Sequence, residues 1–168
     1  KYQGRTVMAD PRFGTTRGHI GALLHLWDQH NLEALLMAMW GNGLRLVDGN
    51  SSVVQAVAYG EAYVGITDTD DVWAGQRNGW PVDCSYLRHD AGNQGSGKRR
   101  GSLVIPNTVA RIAGGPNKKQ AIELAEFLLS AETEQLLAAS GSHHNPVRED
   151  GKGPEEAFAI QEAMTVDY

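Results

Sequence analysis

The sequence predicts an α/β protein in which short strands alternate with helices around a mainly parallel sheet. Apolar runs of strand length are followed by apolar residues at the three- and four-residue spacing of a helix. The 20 glycines among 168 residues stand mostly between these elements, and Ser, Thr, Asp or Asn residues precede several helices as N-caps. This alternation favours a mixed or parallel sheet of about five strands with helices on both faces.

The first half of the chain contains three strand-then-helix units. The predicted strands are residues 4–10, 44–47 and 62–67. After the first strand, residues 14–18 predict a turn, and Leu and Trp residues at helical spacing predict helices over 19–27 and 32–40. Further helices are predicted over residues 53–58 and 72–76, each after a polar or acidic start that suits a helix N-terminus.

The second half predicts further strands and then a helical region. The additional strands are residues 82–87, 103–105 and 108–112. From Lys118 the chain is expected to be helical, because Leu124, Leu128 and nearby apolar residues share one face. Residues 133–139 are expected to extend that helix.

Charge and composition argue against several classes of function. The 15 Lys and Arg residues against 20 Asp and Glu residues give a formal net charge of −5, whereas nucleic acids and anionic membranes require a basic face. Cys84 is the single cysteine, which excludes an internal disulfide and any paired-cysteine site. No apolar run approaches the roughly 20 residues that span a bilayer. The sequence contains neither a GxSxG nor an HExxH motif, which favours a binding protein over an enzyme.

Candidate ligand-binding residues lie at the predicted strand-to-helix junctions. In a parallel sheet, the carboxyl ends of the strands meet the N-termini of the following helices at one edge, where free backbone amides suit an anion or a small polar ligand. Ordinary helix capping uses the same residue types and remains the alternative at any single junction. The candidates for ligand or anion binding are Gly14, Thr15, Thr16, Asn50 and Thr67.

Several stretches resemble the iron(III)-type substrate-binding proteins of ABC transporters. In the first half they are residues 8–19 (MADPRFGTTRGH), 47–51 (VDGNS) with 54–57 (VQAV), and 65–73 (GITDTDDVW). In the second half they are residues 103–110 (LVIPNTVA), 125–132 (AEFLLSAE) and 145–147 (NPV). The stretches are individually weak, but they occur in the same order as in the family and cover nearly the whole chain.

The resemblance implies a type II periplasmic-binding-protein-like lobe, part of a bilobal protein that closes on its ligand like a hinge. It places the second, C-terminal lobe at residues 1–105, a segment returning to the first lobe at 106–148, and a segment crossing back at 149–168. It also implies that most of the first lobe and a secretion signal precede this chain, that the protein is periplasmic or extracytoplasmic, and that its partner is an ABC transporter membrane permease. A fragment with an uncovered lobe surface is expected to form homo-oligomers.

The resemblance also implies a metal site, with one departure from the family. The family binds ferric iron through a consecutive tyrosine pair after the third strand, and that pair aligns with Thr69 and Asp70, or with Asp70 and Asp71. No such tyrosine pair occurs in this sequence. Carboxylates are also hard oxygen ligands, so Thr69, Asp70 and Asp71 are the candidates for holding Fe(III) or another hard cation, with an accompanying anion. Capping of the helix start by Asp68, Asp70 and Asp71 is the alternative.

Two other classes of function remain open at this point. The same fold serves as the ligand-sensing effector domain of regulators, and a small α/β enzyme is a further alternative. Residues 92–99 (GNQGSGKR) nearly match the phosphate-binding motif GxxxxGK[ST], but Arg99 replaces the required hydroxyl residue and a strand follows instead of a helix. A solvated hairpin loop is therefore favoured for this segment.

Overall fold

The computed structural model describes residues 2–87, 101–141, 143–148 and 163–164, and within them it shows an α/β chain. The phosphate-loop-like segment 92–99 and most of segment 149–168 lie outside these residues. In chain order the elements are β1 (Thr6–Ala9), α1 (Gly14–Leu26), α2 (Gln29–Gly41), β2 (Arg45–Val47), α3 (Asn50–Ala58), β3 (Val64–Ile66), α4 (Thr69–Arg77), β4 (Ser102–Leu103), α5 (Lys118–Leu128), α6 (Ala131–Ala139) and β5 (Ala163–Met164).

The chain divides into two compact units. Unit 1 comprises Lys1–Ile105 with Ile160–Tyr168, and unit 2 comprises Pro106–Ala159. Unit 1 contains a parallel sheet of order β2-β1-β3 and a separate parallel pair, β4 and β5. The central strand β1 is apolar throughout its buried part, as expected for a strand with neighbours on both sides.

Helix α3 crosses the sheet of unit 1 and forms its core. The buried cluster consists of Val7, Ala9, Val53, Ala56 and Ala62. Val53 is fully buried, and it packs so closely on Gly65 that a Cβ at that glycine would collide with Val53 Cγ1 and lie 3.3 Å from Val57 Cγ2. The absence of a side chain at Gly65 therefore allows α3 to approach β3.

Unit 2 contains the helices α5 and α6. Ser130 caps α6, because its side chain accepts a hydrogen bond of 3.2 Å from the backbone N–H of Thr133. No residue of α5 is buried, and its apolar side chains Leu124 and Phe127 are more than half exposed. Among the described residues, none of the helices combines the length and the apolar character required to cross a membrane.

The structure confirms the α/β class but corrects the size of the predicted sheet. Three strands form the main sheet where about five were expected, and residues 82–87 and 108–112 are not strands. Val82 packs beside Gly75 of α4, and Ile112 is 81% exposed. In both segments the local pattern predicts a strand that does not form, because pairing with a partner strand cannot be seen in a local pattern.

Several helix boundaries also differ from the sequence predictions. Helix α1 begins at Gly14, so residues 14–18 form its first turns and not a loop. Phe13 occupies the N-cap position without a side-chain cap, so no local capping signal marks this start. In the second half, Leu129 and Ser130 separate α5 from α6, so one predicted helix is two.

Candidate functional site

Three side chains from three different helix starts meet at one edge of the main sheet. Thr15 Oγ1 donates a hydrogen bond of 2.7 Å to Asp68 Oδ2. Asn50 Nδ2 lies 2.7 Å from the same carboxylate oxygen and 2.9 Å from Thr15 Oγ1. We call this group the Thr15–Asn50–Asp68 triad.

The triad forms because the sheet is parallel. Thr15 is the second residue of α1, after β1; Asn50 is the first residue of α3, after β2; and Asp68 is the N-cap residue of α4, after β3. The neighbouring strands are paired in parallel, so their carboxyl ends lie side by side and the three helix starts converge there. The short polar side chains at these starts are then within hydrogen-bond reach of one another.

The other predicted ligand residues lie around the triad. Thr67 Oγ1 donates a hydrogen bond of 3.2 Å to the backbone carbonyl of Asn50, which ties the end of β3 to the start of α3. Gly14 is the first residue of α1 and has a φ of 56°, in the left-handed region that favours glycine. Thr16 is buried in unit 1, with 8% of its surface exposed. Of the five candidates, Thr15 and Asn50 are the two whose side chains enter the triad.

One acceptor in the triad has no hydrogen bond. Asn50 Oδ1 is buried, and no donor among the described residues reaches it. A buried acceptor without a partner carries an energetic cost, which a ligand donor or a cation at this position would remove.

Burial and charge shift two carboxyl groups of the site in the same direction. Burial is the main cause that raises the pKa of Asp68, with a further contribution from the charge of Asp70, while the hydrogen bonds from Thr15 and Asn50 oppose the rise. The pKa of Asp71 is also raised, first by burial and then by the charges of Asp70 and Asp68. Negative charge therefore accumulates at the start of α4, and the hydrogen bonds from Thr15 and Asn50 offset it only in part.

The start of α4 contains the only group of three potential metal-ligating acids found among the residues that the structure describes. Asp68, Asp70 and Asp71 each offer a carboxylate oxygen, and these atoms lie within 4.8 Å of one another. Asp70 is exposed, whereas Asp68 and Asp71 are half-buried. Oxygen donors at this density suit a hard cation, although acidic first turns also occur simply because they favour the helix dipole.

The sequence places Asp68 in the acidic start of α4, but the ligand residues predicted there do not include it. The proposed metal ligands were Thr69, Asp70 and Asp71, and the proposed ligand residue at this junction was Thr67. A signal was nevertheless present, because Asp68 follows β3 as Thr15 and Asn50 follow their strands. The exact residue at which the helix starts decides which of several consecutive polar residues faces the neighbouring helices. A sequence prediction places that start only to within one or two residues.

A separate cavity of about 410 Å³ lies beside α3 and β2. Its lining includes Arg45 and Glu61, which form an exposed ion pair of 3.0 Å, together with Gln55 and Tyr59. No residue of the triad lines this cavity. The two features are therefore independent of each other.

Comparison of the chain with protein-family models, with curated proteins and with solved structures finds no match. The resemblance to iron(III)-type substrate-binding proteins therefore remains a prediction that rests on the residues quoted for it.

Proposed function

We propose that this chain is part of the solute-binding component of an ABC importer and that it captures a small ion or small polar solute at the carboxyl edge of the β2-β1-β3 sheet. The observation that carries the proposal is the convergence of Thr15, Asn50 and Asp68 from three separate helix starts. Such an edge is where open parallel sheets bind ligands.

Exposed apolar surface on unit 2 supports the larger protein that this proposal requires. Helix α5 has no buried residue, and Leu124, Phe127 and Leu129 are each more than half exposed. Apolar faces of this kind usually contact another part of a protein or a partner. In the proposed bilobal protein, further chain from the first lobe covers this surface, and the permease contacts the closed form.

The proposed solute is a hard cation or a polar molecule that supplies hydrogen-bond donors. This choice is supported by the carboxylate oxygens of Asp68, Asp70 and Asp71, together with the unpartnered acceptor Asn50 Oδ1. Iron is one member of this class. The family's tyrosine pair aligns here with Thr69 and Asp70, or with Asp70 and Asp71, so iron held here would be bound through carboxylate and not phenolate oxygens.

The test is solute binding by the full 168-residue chain and by a site variant. Trp fluorescence and calorimetry should detect binding of at least one probe from a panel of Ca²⁺, Mg²⁺, ferric nitrilotriacetate and neutral polar solutes. Thr15→Val should weaken that binding by at least about tenfold, equivalent to about 1.4 kcal/mol. Ser51→Ala is the matched control, because Ser51 is an exposed hydroxyl residue of α3 beside the site.

Two results would contradict the proposal. Binding that is equally strong in wild type and Thr15→Val would locate the solute elsewhere, and turnover of a bound solute would indicate an enzyme. A third result would contradict only the proposal that carboxylates bind the metal. Ferric loading that produces a visible tyrosinate absorption band would require phenolate ligands.

A further inference from the structure

We propose that the cavity beside α3 and β2 binds a neutral polyhydroxylated ring, the chemistry of a sugar, at a site separate from the Thr15–Asn50–Asp68 triad. This site goes beyond the proposed function, because no residue of the triad lines the cavity. The cavity volume of about 410 Å³ falls within the range of about 300–1,000 Å³ that is usual for small-molecule sites.

The cavity follows from the way α3 lies on the sheet. Val53 and Val57 of α3 pack against Gly65 of β3, where the missing side chain allows the helix to come close. Helix α3 is therefore in closer contact with β1 and β3 than with β2, which lies on the other side of the central strand. Part of the face of β2 is left uncovered, and the cavity occupies this space.

One face of α3 forms a wall of the cavity. Its residues follow the three- and four-residue spacing that places side chains on a single helix face, and they are Ser52, Gln55, Ala56 and Tyr59. Ala56 is buried and apolar, whereas the other three carry polar groups. The side chains of Ser52, Gln55 and Tyr59 make no hydrogen bond to the part of the chain that the structure describes, so a ligand can use their donors and acceptors.

Tyr59 gives the cavity an aromatic surface. Tyr59 is 62% exposed, and its ring centroid lies 5.8 Å from that of Trp80, with the ring planes tilted by 59°. Trp80 does not line the cavity, so it supports the Tyr59 ring from another side. An aromatic ring held in this way offers an apolar face on which the C–H face of a sugar ring can pack.

The charged groups of the lining favour a neutral ligand. Arg45 and Glu61 are the two charged residues of the lining, and they form one contact of 3.0 Å between Nη2 and Oε2. The remaining N–H groups of Arg45 and the second carboxylate oxygen of Glu61 bond to no described residue. Because a hydroxyl both donates and accepts, a sugar can accept from Arg45 and donate to Glu61 without separating the pair. An ion or a zwitterion would have to compete with this pair.

The test is binding of D-glucose, D-galactose and maltose to the full chain of 168 residues, measured by calorimetry. At least one of these sugars should bind, and Tyr59→Ala should weaken that binding at least about tenfold. Tyr63→Ala is the matched control, because Tyr63 is 61% exposed in the same unit but does not line the cavity. This control should keep the wild-type affinity for the sugar.

Trp80 supplies a second readout. Because its ring contacts that of Tyr59, a sugar bound on Tyr59 should change the Trp fluorescence. Trp80→Phe should remove most of this change while the variant still binds the sugar. A fluorescence change that persists in Trp80→Phe would place the sugar near another tryptophan and overturn the proposal.

Two results of the binding measurements would also overturn it. One is the absence of binding of all three sugars at millimolar concentrations, and the other is binding of L-serine in their place, which would assign the cavity to a zwitterion. If Tyr59→Ala does not fold, Gln55→Ala replaces it, because Gln55 is exposed and its side chain holds no other described residue. Wild-type affinity in the folded variant would contradict the site.

The variants separate this proposal from the proposed function. Sugar binding that is weakened by Tyr59→Ala and unchanged in Thr15→Val would support the cavity site, even if no ion of the other panel binds. Sugar binding that is lost in Thr15→Val and kept in Tyr59→Ala would overturn the cavity site and support solute capture at the triad.

Discussion

Removal of the Thr15 hydroxyl gives the most direct test of the triad. Thr15→Val keeps the side-chain shape and its branching at Cβ, but it removes the 2.7 Å hydrogen bond to Asp68 and the acceptor of the 2.9 Å hydrogen bond from Asn50 Nδ2. A hydrogen bond to a charged group contributes about 1.5–3 kcal/mol, and a neutral one about 0.5–1.5 kcal/mol. Because Thr15 and Asp68 are only half-buried, the lower end applies, and we expect a loss of about 1–2 kcal/mol in the free energy of unfolding.

A double-mutant cycle separates the contribution of this hydrogen bond from other effects of the substitution. In an Asp68→Asn background the acceptor is neutral, so Thr15→Val should cost about 1 kcal/mol less than it does in wild type. Urea unfolding at pH 7, followed by Trp fluorescence, is the appropriate assay. All four tryptophans lie in residues 27–80, so the signal reports on unit 1 and not on unit 2.

The control and the contradicting result are both measurable in the same assay. Ser51→Ala alters an exposed hydroxyl near the site and should change stability by no more than about 0.5 kcal/mol. If Thr15→Val costs no more than this control, or if its cost is the same in both backgrounds, the hydroxyl and the carboxylate are not coupled. The Thr15–Asp68 hydrogen bond would then make no measurable contribution to the free energy of unfolding.

Three further predictions concern single positions. Asp71→Asn should raise the urea midpoint at pH 7, because the pKa of Asp71 is raised in the folded protein and its ionised carboxylate therefore destabilises the fold. The difference between the variant and wild type should disappear as the pH falls below the unfolded-state pKa of about 3.9, where Asp71 is protonated in both states. A constant difference across this pH range would contradict the prediction. Gly65→Ala should destabilise unit 1 by about 1–3 kcal/mol, since the added methyl collides with Val53, and unchanged Trp fluorescence midpoints would show that the helix can move away. Ser130→Ala should cost about 1 kcal/mol by removing the cap on the N–H of Thr133. Circular dichroism should detect this cost as a lower melting temperature, and an unchanged melting temperature would contradict the prediction.

Most of the first half of the fold follows from local sequence. The strands β1, β2 and β3 are short apolar runs, and the helices that follow them show helical spacing and, at Asp28 and Asn50, polar starts. Asp28 caps α2 by accepting from the N–H of Asn31 at 2.8 Å, an interaction between residues three apart. Interactions over such short separations leave a readable pattern.

The strand count could not be obtained in this way. Residues 82–87 and 108–112 have apolar patterns that suit strands, but neither is a strand in the structure. A strand requires a neighbour with free N–H and C=O groups at the right distance, and that neighbour is supplied by residues far away in the chain. Local pattern therefore overestimated the sheet.

The candidate site shows the same division between local and long-range information. Thr15 and Asn50 were predicted as ligand residues because polar residues at helix starts, after strands, are recognisable in sequence. Their hydrogen bonds to Asp68 join residues 53 and 18 positions apart, and these depend on the β2-β1-β3 order and its parallel register. Sequence determined which side chains carry donors and acceptors, whereas only the tertiary structure decided that the two donors meet a carboxylate of the same chain, because parallel pairing brings the three helix starts together.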